Sequence, residues 1–252
     1  MTHTTLFRFA AAGLLATAVL GSGEASAQSQ RRVPDGCPVT HADLKSALVT
    51  AAGQDSTGLN NDYWGVVVNR SGIVCAVAYS GPTVSSQWLL SRQIASAKAF
   101  TANGLSLDKA AVSTAALYPW VQSGAPANGA FPGFAPGNPL YGLNGGNVQA
   151  AGVYEGPSSQ FGTPNDPMVG LRVGGTITFG GGLGLYSGNT AVGGLGLSGD
   201  TACADHSTAF RVRALLNKAP GPSVGTAFDK IVLTTDASGH PHCPNDAGTM
   251  GQ

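Results

Sequence analysis

Three residues that could do chemistry, Cys203, Asp205 and His206, lie within four positions of one another, directly after a glycine-rich segment. That segment, 180–198, mixes apolar residues with glycine, and 187–190 places Gly-Asn at the tip of a hairpin pattern. Glycine weakens a strand unless the backbone must bend or something large must come close. The spacing therefore predicts a strand, a two-residue turn, a second strand and a helix, with room for a flat ligand against the glycines.

A hydrolase is one chemistry that these residues suggest. Ser198 lies at the predicted junction of strand and helix, close in sequence to Asp205 and His206. A nucleophile elbow needs Gly-x-Ser-x-Gly, whereas residues 196–199 read Gly-Leu-Ser-Gly, with the second glycine one position early. Three triad members so close in sequence would also be unusual. The pattern disfavours a hydrolase.

Four cysteines, Cys37, Cys75, Cys203 and Cys243, are the next candidates. An even number predicts two disulfides in an oxidising compartment. We expect Cys37 to pair with Cys243, joining the two ends of the chain, and Cys75 to pair with Cys203. A metal site is the alternative, since residues 240–243 read His-Pro-His-Cys, but CxxC and HxxxH spacings are both missing.

The first 27 residues read as a secretory signal peptide. Arg8 provides the positive start, residues 9–20 form an apolar run, and Ala25-Ser26-Ala27 fits the cleavage site. The run is shorter than the ~20 residues that a membrane span needs. We therefore expect cleavage after Ala27, a periplasmic or secreted protein and no membrane span.

Charge argues against two classes of partner. The chain has 13 basic and 13 acidic residues, and charged residues make up 10% of it. A balanced surface does not attract nucleic acid or an anionic membrane by bulk charge. The low charge suits an exported protein and also one that buries surface in an oligomer.

After the signal peptide, the sequence predicts an N-terminal arm (28–39), one domain (40–217) and a C-terminal tail (218–252). A capping box at 40–43 opens a helix that ends at Gly53. The other elements predicted in the domain are strands at 63–68 and 73–79 around a turn at 69–72, a helix at 86–101 with Arg92 and Lys98 facing water, a short helix at 106–117, and a strand at 176–179.

A long stretch rich in glycine and proline, 119–174, interrupts this domain. Loops of such length are functional or disordered. Aromatic side chains give a solvated linker no benefit, so their density favours an ordered lid or a subunit-contact arm. The aromatic residues are Trp120, Phe131, Phe134, Tyr141, Tyr154 and Phe161.

Five short motifs, in this order, carry a resemblance to a known family: 66–72, Ala-Lys-Ala-Phe-Thr-Ala at 97–102, Leu-Tyr-Gly-Leu-Asn at 140–144, Phe-Gly-Gly-Gly at 179–182 and Val-Gly-Gly-Leu-Gly-Leu-Ser-Gly at 192–199. Over residues 40–216 the sequence resembles the GlcG/HbpS-like haem-binding family, related to the C-terminal domain of PduO-type proteins. The resemblance implies an α+β, profilin-like fold with a mostly antiparallel five-stranded sheet flanked by helices. It also implies homo-oligomers, and haem binding in some members, with sensing, storage or weak haem degradation proposed.

If haem is the cofactor, the chain must supply an axial donor and groups for the propionates. His206 is our first candidate for the axial donor, followed by His41 and Tyr141. Arg92 and Lys98, with Arg211 and Arg213, are candidates for the propionates. Gly181 and Gly182 could offer backbone N–H groups to an anion. We expect His240 and His242 to be surface residues of the tail.

Three function classes therefore stay open. The first is an exported protein that binds, stores or senses haem or a related tetrapyrrole. The second is a cofactor-free oligomeric protein of the periplasm that binds a partner. The third is an enzyme, either weakly haem-degrading or hydrolytic.

Overall fold

The structure is a computed structural model that describes Met1 and residues 36–121, 149–236 and 238–252. Most of the expected signal peptide and Tyr141 lie outside these residues. Within them, none of the helices combines the length and apolar character that crossing a bilayer requires.

The described residues form helices and short strands in the following order. The helices are α1 (His41–Gly53), α2 (Ser91–Leu105), α3 (Tyr118–Val121) and α4 (Ala202–Leu215). The strands are β1 (Trp64–Asn69), β2 (Val74–Tyr79), β3 (Ala110–Val112), β4 (Gly182–Ser187), β5 (Thr190–Ser198), β6 (Gly225–Phe228), β7 (Leu233–Thr234) and β8 (His240–Pro241).

The main sheet has four strands in the order β2-β1-β5-β4, and every neighbouring pair is antiparallel. The expected α+β class and antiparallel sheet are confirmed, whereas the expected fifth strand is not found in the sheet that the described residues form. The segment 176–179 is not a strand, because side chains bind its backbone. Thr101 Oγ1 accepts from the N–H of Ile177 at 3.1 Å, and Thr114 Oγ1 donates to the carbonyl of Phe179 at 2.7 Å.

Helices cover both faces of the sheet. On one face, Leu44 and Leu48 of α1 and Val212 of α4 join a core cluster with the apolar residues of β4 and β5. On the other face, Ala95 and Ala99 of α2 pack against the valines of β1 and β2. This explains why β1 and β2 are apolar on both faces, as strands covered on each side must be.

Local signals predict some elements well. Thr40 caps α1, and its side chain accepts from the N–H of Asp43 as the capping box predicts. The hairpin of β4 and β5 turns at Gly188 and Asn189, as expected. The helix expected at 86–101 instead runs over Ser91–Leu105.

The short helix expected at 106–117 is also wrong in part. Its first half contains β3, which pairs with β6, and only 115–117 form a single 3₁₀ turn. Ser106 is the cause, since its hydroxyl donates to the carbonyl of Val112 and accepts from the Val112 N–H. These bonds hold the backbone of β3 extended.

The glycines of β5 make room for a helix and not for a flat ligand. A Cβ atom at Gly196 would overlap the carbonyl oxygen of Ala95, and one at Gly194 would overlap that of Ala99. Both carbonyls belong to α2. The close approach predicted from the glycine pattern is therefore real, but the backbone of α2 fills the space.

The disulfide pairing expected from the sequence is wrong. Cys37 pairs with Cys75, and Cys203 pairs with Cys243, with Cα atoms 5.6 and 6.0 Å apart. Cys37 and Cys75 both pack in the cluster between α1 and the sheet, whereas Cys203 and Cys243 pack in a separate cluster with Ile231. Each bridge thus closes a local loop, and the two ends of the chain are not joined.

Candidate functional site

His206 lies at the centre of the candidate site. The cap at Thr201 starts α4, and the following turn carries His206 into the protein, where the side chain is fully buried. Among the described residues neither ring nitrogen makes a hydrogen bond of regular geometry, but the backbone of Gly251 lies close enough to act as a weak partner of the ring. Burial lowers the pKa of His206 to about 3, and the positive charges of Arg213 and Lys98 nearby act in the same direction. The imidazole is therefore neutral at ordinary pH and keeps a free lone pair.

The last residues of the chain cover this ring. A Cβ atom at Gly251 would lie 2.9 Å from Nε2 of His206 and 2.8 Å from Phe210, so glycine is the residue that fits there. The N–H of Met250 donates to Ser207 Oγ at 3.0 Å, and the N–H of Ile231 donates to the carbonyl of Gly251 at 2.8 Å. Backbone, and not a packed side chain, lies against Nε2.

Lys98 and Asp205 form a buried ion pair next to His206. Lys98 Nζ lies 2.6 Å from Asp205 Oδ2 and also donates to the carbonyl of Leu197 at 2.9 Å. Burial lowers the pKa of Lys98 and raises that of Asp205 to about 6, with Lys98 opposing the latter shift. The sequence pattern that placed Lys98 in water is wrong, because α2 turns this residue toward the end of β5.

Gly181 and Gly182 belong to the same cluster. The carbonyl of Gly181, which has a φ of +116°, accepts from the N–H of Leu197 at 2.8 Å. A Cβ atom at Gly181 would lie 2.9 Å from Lys98 Nζ. The N–H of Gly182 donates to Thr114 Oγ1 at 2.8 Å. The chain itself thus uses the N–H of Gly182, one of the two N–H groups that the sequence offered to an anion.

Arg92 lies in a different part of the molecule and is also not free in water. Its guanidinium pairs with Asp166, with Nε 3.0 Å from Oδ2, and NH1 donates to the carbonyl of Val153 at 2.7 Å. The ring of Phe161 stacks 3.9 Å from the guanidinium carbon. Arg92 therefore anchors residues 153–166 to α2, so part of the long stretch packs as an ordered arm.

The remaining candidates within the described residues have partners of their own, and of these Arg213 lies near enough to His206 to lower its pKa. His41 is half-buried at the start of α1, with Nε2 2.9 Å from the carbonyl of Gly162. Arg211 pairs with Asp55 at 2.9 Å and Arg213 with Asp229 at 2.5 Å. Tyr141 lies outside the described residues. Of the haem candidates, the structure thus brings together Lys98, Gly181, Gly182 and His206, with Arg213 nearby.

The two histidines of the tail differ from each other. His242 is exposed and pairs with Asp246, as expected of a surface residue. His240 is buried, and its ring stacks on Tyr118 with the centroids 4.8 Å apart. Nδ1 of His240 lies 2.8 Å from the carbonyl of Pro241, while Nε2 has no partner. The expectation of a surface position is therefore wrong for His240.

The hydrolase arrangement is not assembled. Ser198 is buried, Asp205 pairs with Lys98, and the nitrogens of His206 bind neither residue. A Ser-His-Asp mechanism needs a hydrogen bond from nucleophile to base and another from base to acid.

Haem fits this site in one respect and not in another. A neutral imidazole with an available lone pair is one of the donors that haem iron takes from a protein. However, Arg92 and Lys98 already pair with carboxylates, and α2 fills the space beside the glycines of β5. On its Nε2 side, His206 is covered by the last residues of the chain, so a macrocycle there would have to displace them.

Neither a protein-family model nor a curated protein matches the chain. Solved structures do. The chain is similar to a PduOC:haem complex (24% identity over 71% of this chain and 94% of that one, TM-score 0.45). It is also similar to Klebsiella pneumoniae protein ORFY, family-model DUF336 (20% identity over 71% and 90%, TM-score 0.44). A double mutant of Streptomyces reticuli HbpS is similar as well (18% identity over 82% and 99%, TM-score 0.38).

PduO and HbpS are also the proteins named in the resemblance that the sequence motifs carry. With identities below 25% and TM-scores below 0.5, these likenesses assign neither a ligand nor a residue role to this chain.

Proposed function

We propose that this protein binds haem or a related tetrapyrrole through His206, in an open state in which the last residues of the chain have moved off the ring. The observation that carries the proposal is the neutral, fully buried imidazole, whose nitrogens make no hydrogen bond of regular geometry and meet only the backbone of Gly251 among the described residues. The sequence motifs of the GlcG/HbpS-like family supply the class of ligand.

The energetics support a ligand at His206. A buried polar group without a partner costs about 1–3 kcal/mol, so folded chains keep few of them. Iron ligation would satisfy one nitrogen, and the N–H of the other would donate to a carbonyl or a water. Among the described residues, two hydrogen bonds hold the cover over the ring. The N–H of Met250 donates to Ser207, and the N–H of Ile231 donates to the carbonyl of Gly251.

The propionates need other partners in this account. Lys98 and Arg92 would have to give up Asp205 and Asp166, and each broken pair would leave a buried carboxylate without compensation. We therefore place the propionates at the surface that the displaced tail uncovers, and keep both ion pairs intact.

A haem titration of the purified protein tests the proposal, with the Soret band and the stoichiometry as readouts. We expect saturation at about one haem per chain and loss of the shifted band in His206→Ala. His41→Ala is the matched control, because His41 is half-buried and its nitrogen binds the carbonyl of Gly162. An unchanged spectrum in His206→Ala, or loss in His41→Ala alone, would overturn the assignment.

Export stays part of the proposal. The signal-peptide pattern and two disulfides are what an exported protein in an oxidising compartment carries. The processed N-terminus, sequenced from protein isolated outside the cytoplasm, should begin at Gln28.

A second candidate function rests on an exposed apolar run. Trp88, Leu89 and Leu90, just before α2, are 53%, 65% and 68% exposed. Such a patch marks a contact surface, and it supports the alternative of an oligomeric, partner-binding protein. Sedimentation of the wild type and of the Leu89→Glu, Leu90→Glu double variant tests it. If the wild type is an oligomer and the double variant is a monomer, the result supports this function. If both proteins sediment as monomers, the result refutes it.

A further inference from the structure

The bridge between Cys203 and Cys243 lies beside the buried His240. One ligand atom from each of the three residues falls within 4.8 Å of the other two. Two thiolates and an imidazole are the soft donor set that zinc prefers, and tetrahedral zinc takes three protein ligands with a water in the fourth position. We propose that the reduced form of this pair binds one zinc ion through Cys203, Cys243 and His240.

His240 carries a second, independent observation. Its side chain is 3% exposed, and Nε2 is buried without a hydrogen-bond partner in the part of the chain that the structure describes. Nδ1 lies 2.8 Å from the carbonyl of Pro241, and a carbonyl can only accept, so Nδ1 holds the proton. Zinc-bound histidines show this arrangement, in which the distal N–H donates to a carbonyl and the other nitrogen presents its lone pair.

The surroundings of the sulfurs also suit thiolates. Cys203 is the second residue of α4, where the free N–H groups of a helix start favour negative charge. The N–H of Cys203 lies 3.2 Å from the sulfur of Cys243. Cys243 is half-buried and Cys203 fully buried, so a reductant reaches Cys243 first.

The chemistry balances in two steps. A dithiol attacks Cys243, the S–S bond breaks, Cys203 leaves as a thiolate, and the dithiol ends as a disulfide while both cysteines become thiols. Zinc then binds, and the two thiols release two protons. Bridge and metal exclude each other, so the state of the pair decides whether the site exists.

The other bridge provides a matched comparison. Within the described residues, Cys37 and Cys75 belong to no cluster of side chains that could hold a metal ion. A Cys37→Ser, Cys75→Ser double variant therefore keeps the proposed ligands and removes the other two thiols.

The experiment uses the full chain without haem, so its result is independent of the proposed function. The protein is reduced with a phosphine, and the phosphine is then removed under anaerobic conditions. It is then titrated with Co²⁺ as a spectroscopic probe and with Zn²⁺ in competition. Thiolate-to-cobalt absorption and metal per chain are measured for the wild type, His240→Ala, His242→Ala and the double variant.

We expect one metal per chain in the reduced wild type and the double variant, and none in the oxidised protein. His240→Ala should weaken metal binding at least about tenfold, because removing even a hydrogen-bond partner of a metal ligand costs about that much. His242→Ala should leave metal binding unchanged, because the His242 side chain is exposed and pairs with Asp246. Both histidine variants keep all four cysteines, so they decide the question even if the double variant fails to fold. Four titratable thiols without metal binding, or equal affinity in His240→Ala and the wild type, would overturn the proposal.

Discussion

The burial of His206 gives this residue a pH signature. Its folded pKa is about 3, below the ordinary value of 6.5. Between about pH 3 and pH 6.5, His206 is protonated in the unfolded chain but not in the folded chain. The free energy of unfolding therefore decreases as the pH falls below 6.5. We expect the wild type to lose about 2 kcal/mol relative to His206→Leu between pH 7 and pH 5, since one pKa unit corresponds to about 1.4 kcal/mol.

The measurement is urea unfolding of both proteins across this pH range. Asp205 acts with the opposite sign, because its raised pKa of about 6 means that its contribution is complete below 3.8 and is lost as the pH rises through 6. Asp205 is present in both proteins, so its effect cancels in the difference. A difference that stays constant from pH 7 to pH 5 would contradict the buried neutral imidazole.

The ion pair of Lys98 and Asp205 predicts strong coupling. Lys98→Met or Asp205→Asn leaves one buried charge alone, and we expect each to cost about 3–5 kcal/mol. The double variant should lose clearly less than the sum, as a double-mutant cycle by urea unfolding would show. Arg172→Met removes an exposed cation and should change stability by at most about 0.5 kcal/mol. Additive losses at the pair would show that the two residues do not interact.

At the scale of elements, the packing of α2 on β5 depends on glycine. A methyl group at Gly196 would overlap the carbonyl of Ala95, so Gly196→Ala should cost about 3 kcal/mol or more. Gly104, in the last turn of α2, has nothing within 4 Å of an added Cβ, and Gly104→Ala should be neutral or stabilise by up to about 1 kcal/mol. Thermal unfolding measures both. Equal effects would mean that α2 does not press on β5.

Elements with a local signal could be predicted from the sequence, and those set by distant partners could not. The cap at Thr40 and the turn at Gly188 are read from neighbouring residues, so α1 and the hairpin were predicted correctly. Lys98 finds its partner 107 positions away, and no local pattern indicates that an amphipathic-looking helix buries a lysine. The strand expected at 176–179 fails for the same reason, because Thr101 and Thr114 bind its backbone.

The sequence predicted which residues form the candidate site better than it predicted their contacts. The sequence singled out His206, Lys98, Gly181 and Gly182, and these four do come together. It missed the role of Asp205 and the burial of His240, since both depend on where the chain returns after α4. A buried counter-ion has no spacing rule, so only the folded arrangement identifies it.

Across the whole molecule, the two bridges hold separate parts. One ties the arm before α1 to β2, and the other ties the tail to the start of α4. Peptide mapping without reduction should therefore yield the pairs Cys37 with Cys75 and Cys203 with Cys243. A peptide that joins Cys37 to Cys243 would contradict the fold at its two ends.

The tail also covers His206, and in the proposed function it has to move before a ligand can reach the ring. Gly251 lies against the ring, and the bridge at Cys243 holds the chain eight residues earlier. A ligand that binds only the open state has its affinity reduced by the fraction of molecules that are open. Removing the cover should therefore tighten haem binding without adding any contact.

The most direct test is the haem affinity of the full chain, of a chain that ends at Gly248, and of that shortened chain with His206→Ala, with Gly251→Ala in the full chain as a second way to displace the tail. We expect tighter binding in the shortened chain and in Gly251→Ala than in the full chain, and loss of the shifted Soret band with His206→Ala. Equal affinity in all four proteins would contradict both the ligand and its cover.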